Sequence, residues 1–347
     1  MKVILTANGC NRYGGIPKYN YLLAIELQRK GIDVELIVDS ELAIKHIKAL
    51  SQKPLNVTVI KPVTEGISNT IKYTWNVSKY LQSQTFDILH SNHITPYFYL
   101  MGKHEDIVFQ PFGNELFTLA GKGLNRAYCK LAQRILASCG HNANVLLSEG
   151  KFQHKDMEKW YGRKDIKVLP VGVNTKNPKI DYKVSKKTKL ITVNNLVKYE
   201  HMDKIIELVK IIPDIELIIV GKGELESKLK YQAKGLPVKF FKDITEKTLD
   251  KLYCNADAYI SPSGETDYQM GVLEAMATGL PIISQPNEWL PEETIQGNLQ
   301  TGVQEFINMN EVERKDNGEL MRKKVELNSF NNIANKAIVI YAEAMSV

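Results

Sequence analysis

A polar loop followed by a helix carries groups suited to a phosphorylated ligand in the second half of the chain. The helix is predicted to begin at Met270–Gly271, and Glu274 lies one turn further on. Free N–H groups and the positive dipole end of such a helix suit a diphosphate. A carboxylate at this point can accept hydrogen bonds from both hydroxyls of a ribose. The pattern predicts a nucleoside diphosphate site built from Met270, Gly271, Val272 and Glu274, although a favourable helix-start residue is an alternative interpretation of Glu274.

Two glycine turns follow predicted strands. Gly14 and Gly15 come after the strand at 3–7, and Gly221 and Gly223 follow the strand at 216–220. Because glycine has no side chain, a phosphate or a sugar can approach its backbone closely. Helix caps and tight turns use the same residues, so glycine alone is a weak signal.

Apolar strands alternate with amphipathic helices along almost the whole chain. This alternation predicts an α/β protein with parallel sheets covered on both faces. The pattern runs from residue 3 to 169 and restarts at 190, which predicts two Rossmann-like, doubly wound domains. The predicted strands are 3–7, 34–38, 57–60, 87–90, 107–111, 144–147, 168–169, 190–193, 216–220, 238–241, 258–260 and 281–284. The predicted helices are 15–30, 68–83, 123–137, 202–212, 224–234, 245–254, 271–278 and 329–346, and 310–325 is expected to be a solvated helix or loop.

The length of 347 residues suits two domains of this kind. An N-terminal domain is expected at 1–172 and a C-terminal domain at 188–328. Residues 173–187 are polar, contain proline and lack periodicity, as is typical of a linker. The final helix, 329–347, is expected to pack back on the N-terminal domain. Since ligands of open α/β sheets bind outside the carboxyl ends of the strands, the site is expected in a cleft between the two facing domains.

Composition excludes disordered and collagen-like classes, with 44% hydrophobic and 24% charged residues. The short apolar run at 3–7 is typical of a first strand and not of a signal peptide, which predicts a cytoplasmic protein. Four cysteines form no C-x-x-C pair, and no metal site is expected.

The net charge is +6, and residues 1–172 carry all of the positive excess. A basic half suits nucleic acid, an anionic membrane or a phosphorylated ligand.

A stripe of basic residues recurs every four positions on the helix predicted at 123–137. It consists of Lys122, Arg126, Lys130 and Arg134. One interpretation is a contact with an anionic membrane, which would make the protein peripheral on the inner face of the membrane. The other is a solvated helix face. Nucleic acid is not expected, because no aromatic residues interleave with the basic ones to form a stacking platform.

The segment from Gly271 to Pro281 resembles the signature of family 4 glycosyltransferases of the GT-B fold. In that family a Glu-x7-Glu element runs into Glu-Ala-Met-Ala-x-Gly-x-Pro, and Glu274 matches the second glutamate, which binds the ribose. The first glutamate is expected at position 266, where this chain has Thr266. Either the loop is shifted by one residue, so that Glu265 corresponds to the first glutamate, or Thr266 with Asp267 contacts the donor sugar.

The glycine turns resemble loops of the same family, but a stretch that binds the diphosphate departs from it. Residues 190–204 align with the pattern Gly-Arg-Leu-x-x-x-Lys-Gly, in which Arg and Lys neutralise the leaving diphosphate. Asn195 and Glu200 occupy those two positions here. The resemblance then implies that Lys198, or Arg12 from the other domain, supplies the positive charge.

The first domain departs from the family at the end of the strand predicted at 107–111. Family members often carry His-Gly or His-Asp there, whereas this chain has Phe112 followed by polar residues. Asn114 and Glu115 are expected to hold the acceptor or the sugar. His90 ends the strand at 87–90, where it is either a site residue or a structural histidine.

The resemblance implies an enzyme, a hexosyltransferase with no tightly bound cofactor, that uses a UDP- or GDP-sugar. It would transfer the sugar, with retention, to a hydroxyl of a glycan or lipid-linked acceptor. The implied catalytic residues are Lys198, Asn114, Glu115 and Glu265, and the implied donor-binding residues are Glu274, Met270, Gly271, Val272, Thr266, Asp267, Asn195, Gly221 and Gly223. The implied acceptor and diphosphate loop holds Gly14, Gly15, Arg12 and His90. A nucleotide-sugar epimerase and a non-catalytic nucleotide-sugar binder or partner subunit are the alternatives.

Overall fold

The structure is a computed structural model that describes residues 1–7, 10, 14–51, 53–61, 67–93, 97–100, 106–112, 124–263, 269–287 and 289–346. The chain divides into two units. The first unit consists of Met1–Gly172 together with Phe330–Val347, and the second unit is Val173–Ser329. Each unit contains a parallel sheet with helices, which confirms the predicted α/β class with two Rossmann-like domains.

The first unit is built on seven parallel strands in the order β3-β2-β1-β4-β5-β6-β7. The strands are β1 (Lys2–Ala7), β2 (Asp33–Val38), β3 (Asn56–Val59), β4 (Ile88–Ser91), β5 (Ile107–Phe109), β6 (Val145–Ser148) and β7 (Lys167–Val168). Its described helices before the second unit are α1 (Gly15–Arg29), α2 (Leu42–Leu50), α3 (Ile67–Gln82), α4 (Tyr97–Leu100), α5 (Leu124–Asn142) and α6 (Lys151–Tyr161). The sequence did not predict α2, α4 or α6, and α5 runs five residues beyond the predicted end at 137.

The second unit is built on six parallel strands in the order β10-β9-β8-β11-β12-β13. The strands are β8 (Thr188–Val193), β9 (Ile215–Val220), β10 (Val238–Phe241), β11 (Ala258–Ser261), β12 (Ile282–Ser284) and β13 (Ile295–Gln296). The helices are α7 (Met202–Ile211), α8 (Glu226–Gln232), α9 (Glu246–Asn255), α10 (Met270–Thr278), α11 (Leu299–Asn308) and α12 (Glu311–Val325). Apolar residues of β8, β9 and β11 pack with those of α7 and α11 to form its core.

Residues 173–187, expected to be a linker, belong to the second unit and contain no helix or named strand. Two of their lysine side chains are buried. The Lys176 ammonium lies 2.7 Å from a carboxylate oxygen of Asp250, and the Lys179 ammonium donates a 2.7 Å hydrogen bond to the carbonyl of Ala256. These contacts fasten the segment to α9, so its polar composition reflects specific pairing as well as exposure.

The last helix, α13 (Phe330–Ala344), belongs to the first unit and packs against α1. The rings of Tyr19 and Phe330 lie 5.6 Å apart, and the side-chain amide of Asn144 donates a 2.9 Å hydrogen bond to the carbonyl of Ala344. Both ends of α13 are therefore held by residues that lie far away in the sequence.

Candidate functional site

The strand order of the second unit reverses between β8 and β11, which lie side by side. In open parallel sheets, ligands bind in the crevice outside the carboxyl ends of the strands at such a switch point. The two segments that leave these strands are 194–201 and 262–269. Chemistry in this unit is therefore expected from side chains on these two segments and on α10.

Helix α10 begins directly after the second of these segments. Gln269 precedes its first turn without a side-chain capping hydrogen bond, and the first turn contains no acidic residue. Since the first N–H groups of a helix have no partner within the helix, the amides of Met270, Gly271 and Val272 are suited to an anion. The helix ends at Gly279, which has a φ of 89° and lies in the left-handed region where glycine is favoured.

The carboxyl group of Glu274 is held on the buried side of α10. Its side chain is 4% exposed, and its Oε2 accepts a 3.1 Å hydrogen bond from the hydroxyl of Tyr253 on α9. The same hydroxyl lies 3.2 Å from the carbonyl oxygen of Gly271. Burial, together with the nearby Glu274 carboxylate, raises the pKa of Tyr253 well above its usual value, so the phenol stays protonated. Tyr253 thus fixes the orientation of the carboxylate that the sequence identified.

Three of the predicted site glycines pack against the segment that leaves β8. A methyl group added at Gly221 would lie 1.8 Å from the carbonyl oxygen of Asn194. At Gly223 it would lie 2.4 Å from the carbonyl oxygen of Leu196, and at Gly271 2.5 Å from that of Val193. Close packing of the backbone explains these three glycines, and a contact with a ligand remains a prediction.

Gly14 and Gly15 lie at the start of α1 in the first unit, where Gly14 is the N-cap residue. A methyl group added at Gly14 would meet only the ring of Pro17, at an ordinary contact distance of 3.9 Å. Packing among the described residues therefore does not require a glycine at this position, in contrast to the three glycines of the second unit.

The segment after β8 carries two exposed polar residues and one buried carboxylate. Asn195 and Lys198 are exposed, whereas Glu200 is 7% exposed. The Oε2 atom of Glu200 accepts hydrogen bonds from the side chains of Asn194 and Ser263, at 2.7 Å each, and of Gln269 at 3.4 Å. His201 follows with a φ of 51°, at the position where the family pattern has glycine.

His90 is fully buried in the first unit, with both ring nitrogens in hydrogen bonds. Its Nδ1 lies 2.6 Å from the hydroxyl of Tyr341 on α13, and its Nε2 lies 3.1 Å from Oε1 of Gln110. Burial lowers the pKa of His90 to about 4, so the ring is neutral at physiological pH. This geometry favours the structural interpretation of His90 over contact with a ligand.

Several predicted residues lie outside the part of the chain that the structure describes. They are Arg12, Asn114, Glu115, Lys122, Glu265, Thr266 and Asp267. Arg126 lies on α5, but its side chain is also outside the described set, whereas Lys130 and Arg134 are exposed on that helix.

Family models match both halves of the chain. The model described as Glycosyltransferase Family 4 matches residues 13–177, and the model described as Glycosyl transferases group 1 matches residues 173–314. The chain belongs to the family 4-like glycosyltransferases of the GT-B fold. The family that the signature around Glu274 resembles is therefore confirmed.

The chain is also similar to named relatives, and it shares its fold with a solved structure. The chain is 27% identical over 139 residues to the UDP-N-acetylglucosamine–peptide N-acetylglucosaminyltransferase GtfA subunit of Streptococcus agalactiae, covering 39% of this chain and 28% of that one. It is 23% identical over 172 residues to the GDP-mannose-dependent alpha-(1-6)-phosphatidylinositol dimannoside mannosyltransferase of Mycobacterium tuberculosis, covering 46% and 45%. These matches span less than half the length of each relative. Sucrose-phosphate synthase from Thermosynechococcus elongatus has the same fold, with a TM-score of 0.81, 14% identity and coverage of 100% and 99%.

Membrane-spanning helices and metal-binding clusters are both absent from the described residues. No helix among them is long and apolar enough to cross a membrane. Within the same residues, no group of three or more His, Cys, Asp or Glu side chains is arranged to hold a metal ion.

Proposed function

We propose that this protein transfers a hexose from a UDP- or GDP-sugar to a hydroxyl of a glycan or lipid-linked acceptor, with retention at the anomeric carbon. The observation that carries the proposal is the position of Glu274 on α10, which follows the segment after the switch-point strand β11, and its hydrogen bond from Tyr253. A helix start for the diphosphate and a fixed carboxylate for the ribose are what a nucleotide-sugar site needs.

The donor is proposed to lie with its diphosphate on the first amides of α10. Glu274 would accept hydrogen bonds from the ribose hydroxyls, while Asn195 and the turn at 221–223 border the nucleotide. Glu265, or Thr266 with Asp267, would contact the hexose. The relatives support this class of donor, since one is named for UDP-N-acetylglucosamine and another for GDP-mannose.

Negative charge develops on the diphosphate as its bond to the anomeric carbon breaks. The helix start carries a partial positive charge, and Lys198 is an exposed cation on the neighbouring segment. Preorganised groups of this kind stabilise the developing charge without reorganisation during the reaction. Lys198 is therefore our proposed catalytic cation, with Arg12 as a second source of charge.

The acceptor is proposed to bind to the first unit. Gly14 supports this part of the proposal, because packing among described residues leaves space for a methyl group there. A hydroxyl or phosphate of the acceptor could therefore approach the backbone of Gly14 and Gly15. Asn114 and Glu115 would supply the side chains that orient the attacking hydroxyl.

A peripheral position on the inner face of a membrane is proposed for a lipid-linked acceptor. Lys130 and Arg134 are exposed on α5, and α5 contacts α4. Phe98 of α4 packs against Trp75 of α3 at 5.4 Å between ring centroids, and Trp75 is 55% exposed. Basic residues near an exposed tryptophan are typical of a surface that contacts anionic lipid.

The alternatives, an epimerase or a non-catalytic binder, are not favoured by family models that describe transferases.

The test is an assay of hydrolysis and transfer with UDP-, GDP- and ADP-sugars, combined with calorimetric titration of the free nucleotides. We expect one nucleotide to bind and its sugar to turn over. Glu274→Gln should weaken that binding about 10- to 100-fold, since a hydrogen bond to a charged group contributes about 1.5–3 kcal/mol. Lys198→Ala should lower kcat and also weaken binding of the free nucleotides, because their diphosphate carries the charge that the ammonium would stabilise. Glu305→Gln, an exposed change on α11, is the control.

Failure of all three nucleotides to bind at millimolar concentration would refute the proposal. Binding without turnover, unchanged in Lys198→Ala, would support the non-catalytic binder instead. The anomeric configuration of the product, read by NMR, tests retention.

A further inference from the structure

One oxygen atom of Glu200 connects the two segments that leave the switch-point strands. Asn194 belongs to the segment after β8, whereas Ser263 and Gln269 belong to the segment after β11. All three side chains donate hydrogen bonds to Oε2 of Glu200. The carboxylate is nearly buried, and hydrogen bonds to a charged acceptor are about twice as strong as neutral ones.

The two donors on the second segment occupy particular places. Ser263 comes two residues after the end of β11, and Gln269 is the residue immediately before α10. Gln269 is further held by Ser261, whose hydroxyl donates a 3.1 Å hydrogen bond to its Oε1. A shift of Gln269 would therefore move the first turn of α10, which carries the amides proposed for the diphosphate.

We infer that Glu200 is a positioning residue of the donor site, which fixes the start of α10 relative to the segment after β8. The inference rests on the proposed function, because the donor is what this arrangement would bind. Glu200 does not touch the nucleotide in this account. It acts through Asn194, Ser263 and Gln269, whose side-chain donors converge on it.

Glu200 differs from the lysine of the family pattern in the hydrogen bonds that its side chain can make. A lysine has three N–H donors and no acceptor, so it could not take the place of Glu200 towards three donors. A glutamine keeps one acceptor oxygen of the same reach. The nucleotide affinity of a variant at position 200 is therefore expected to depend on whether the new side chain has an acceptor atom, and not on the attraction of its charge for phosphate.

The experiment measures the dissociation constants of UDP, GDP and ADP by calorimetric titration for the wild type, Glu200→Gln, Glu200→Ala and Glu200→Lys. Titrations are run well below the melting temperature of each variant. We expect Glu200→Gln to bind within about threefold of the wild type, since an acceptor remains. Glu200→Ala and Glu200→Lys should bind about 10- to 100-fold more weakly, because the displaced amides of α10 would lose a hydrogen bond to the charged diphosphate.

Glu35→Ala is the matched control for Glu200→Ala. Glu35 is also a buried carboxylate that accepts hydrogen bonds from two hydroxyls, those of Thr58 and Tyr80, but it lies on β2 of the first unit. Its replacement should lower the melting temperature without changing the nucleotide dissociation constant. A purely structural role for Glu200 would give the same result as this control.

Tighter binding by Glu200→Lys would show that the position simply lacks the family cation, and it would overturn the inference. Unchanged affinity in Glu200→Ala and Glu200→Lys would overturn it as well while leaving the proposed function intact. Absence of nucleotide binding by the wild type would overturn both. Should Glu200→Ala and Glu200→Lys fail to fold, Asn194→Ala and Ser263→Ala each remove one donor, and unchanged affinity in both would refute the positioning role.

Discussion

Replacing Gly271 by alanine should displace the start of α10 and weaken the proposed donor site. The added methyl group would lie 2.5 Å from the carbonyl oxygen of Val193 and 2.8 Å from the hydroxyl of Tyr259. Neither group can move easily, because Val193 ends β8 and Tyr259 is fully buried. Ordinary contact begins at 3.4 Å, so the helix start must move by about 0.9 Å relative to β8.

A displacement of this size has two separable effects. Overpacking of a well-packed region costs about 1–3 kcal/mol of unfolding free energy. A shift of about 1 Å in a site lowers kcat/KM by up to about 100-fold, provided that the reacting groups depend on this helix. Urea unfolding measures the first effect. Steady-state kinetics with the donor found in the panel, together with nucleotide titration, measures the second.

Gly235→Ala is the control for stability alone. Gly235 has a φ of 79° and open space around its Cα, so alanine would be strained but would not clash. It precedes β10, at the end of the sheet opposite to the switch-point crevice. We expect a loss of about 1–2 kcal/mol in stability without a change in nucleotide affinity. If Gly271→Ala loses stability but keeps the wild-type dissociation constant and kcat/KM, the start of α10 does not hold the donor.

Two further predictions concern buried hydrogen bonds. Tyr253→Phe removes the hydroxyl that contacts Glu274 and the carbonyl of Gly271. We expect the unfolding free energy, measured with urea, to fall by about 1–3 kcal/mol, and nucleotide binding, measured by calorimetry, to weaken. Wild-type nucleotide affinity in this variant would mean that Glu274 is oriented without Tyr253. Lowering the pH from 6.5 towards 4 should destabilise the protein, because the pKa of His90 is lowered to about 4 by burial and the unfolded chain binds the proton first. At pH 5 the loss of unfolding free energy from His90 is about 2 kcal/mol. The urea midpoint of His90→Gln should therefore fall less between pH 7 and pH 5 than that of the wild type. An equally steep fall would contradict the lowered pKa of His90.

Alternation of apolar strands and amphipathic helices was sufficient to predict most of the architecture. The strands at 238–241 and 216–220 and the helix at 271–278 were located to within one residue, because long apolar runs and a glycine stop leave few alternatives. β13 has only two residues, too short for a period-two pattern to be visible. The helix α6 has a polar composition, and its burial comes from contacts with β6 and α5 that no local pattern records.

The candidate site could be predicted only in part. Glu274 was identified by its place after a strand and a polar loop, whereas its partner Tyr253 lies 21 residues earlier on another helix. The family pattern shows only that Glu200 replaces a lysine, since the sequence does not show that its side chain turns inward towards Ser263 and Gln269. Such contacts depend on strand order, which brings β8 and β11 together although 64 residues separate Val193 and Ala258.

The position of α13 determines the order in which this protein can fold during synthesis. Its residues Phe330 and Tyr341 pack on Tyr19 and His90, which the ribosome produces more than 200 residues earlier. The second unit is complete in sequence by Ser329, so it can fold while the first unit still lacks its last helix. A nascent chain of that length would leave the imidazole of His90 without its tyrosine partner. The first unit is therefore the first to be synthesised and the last to complete its fold.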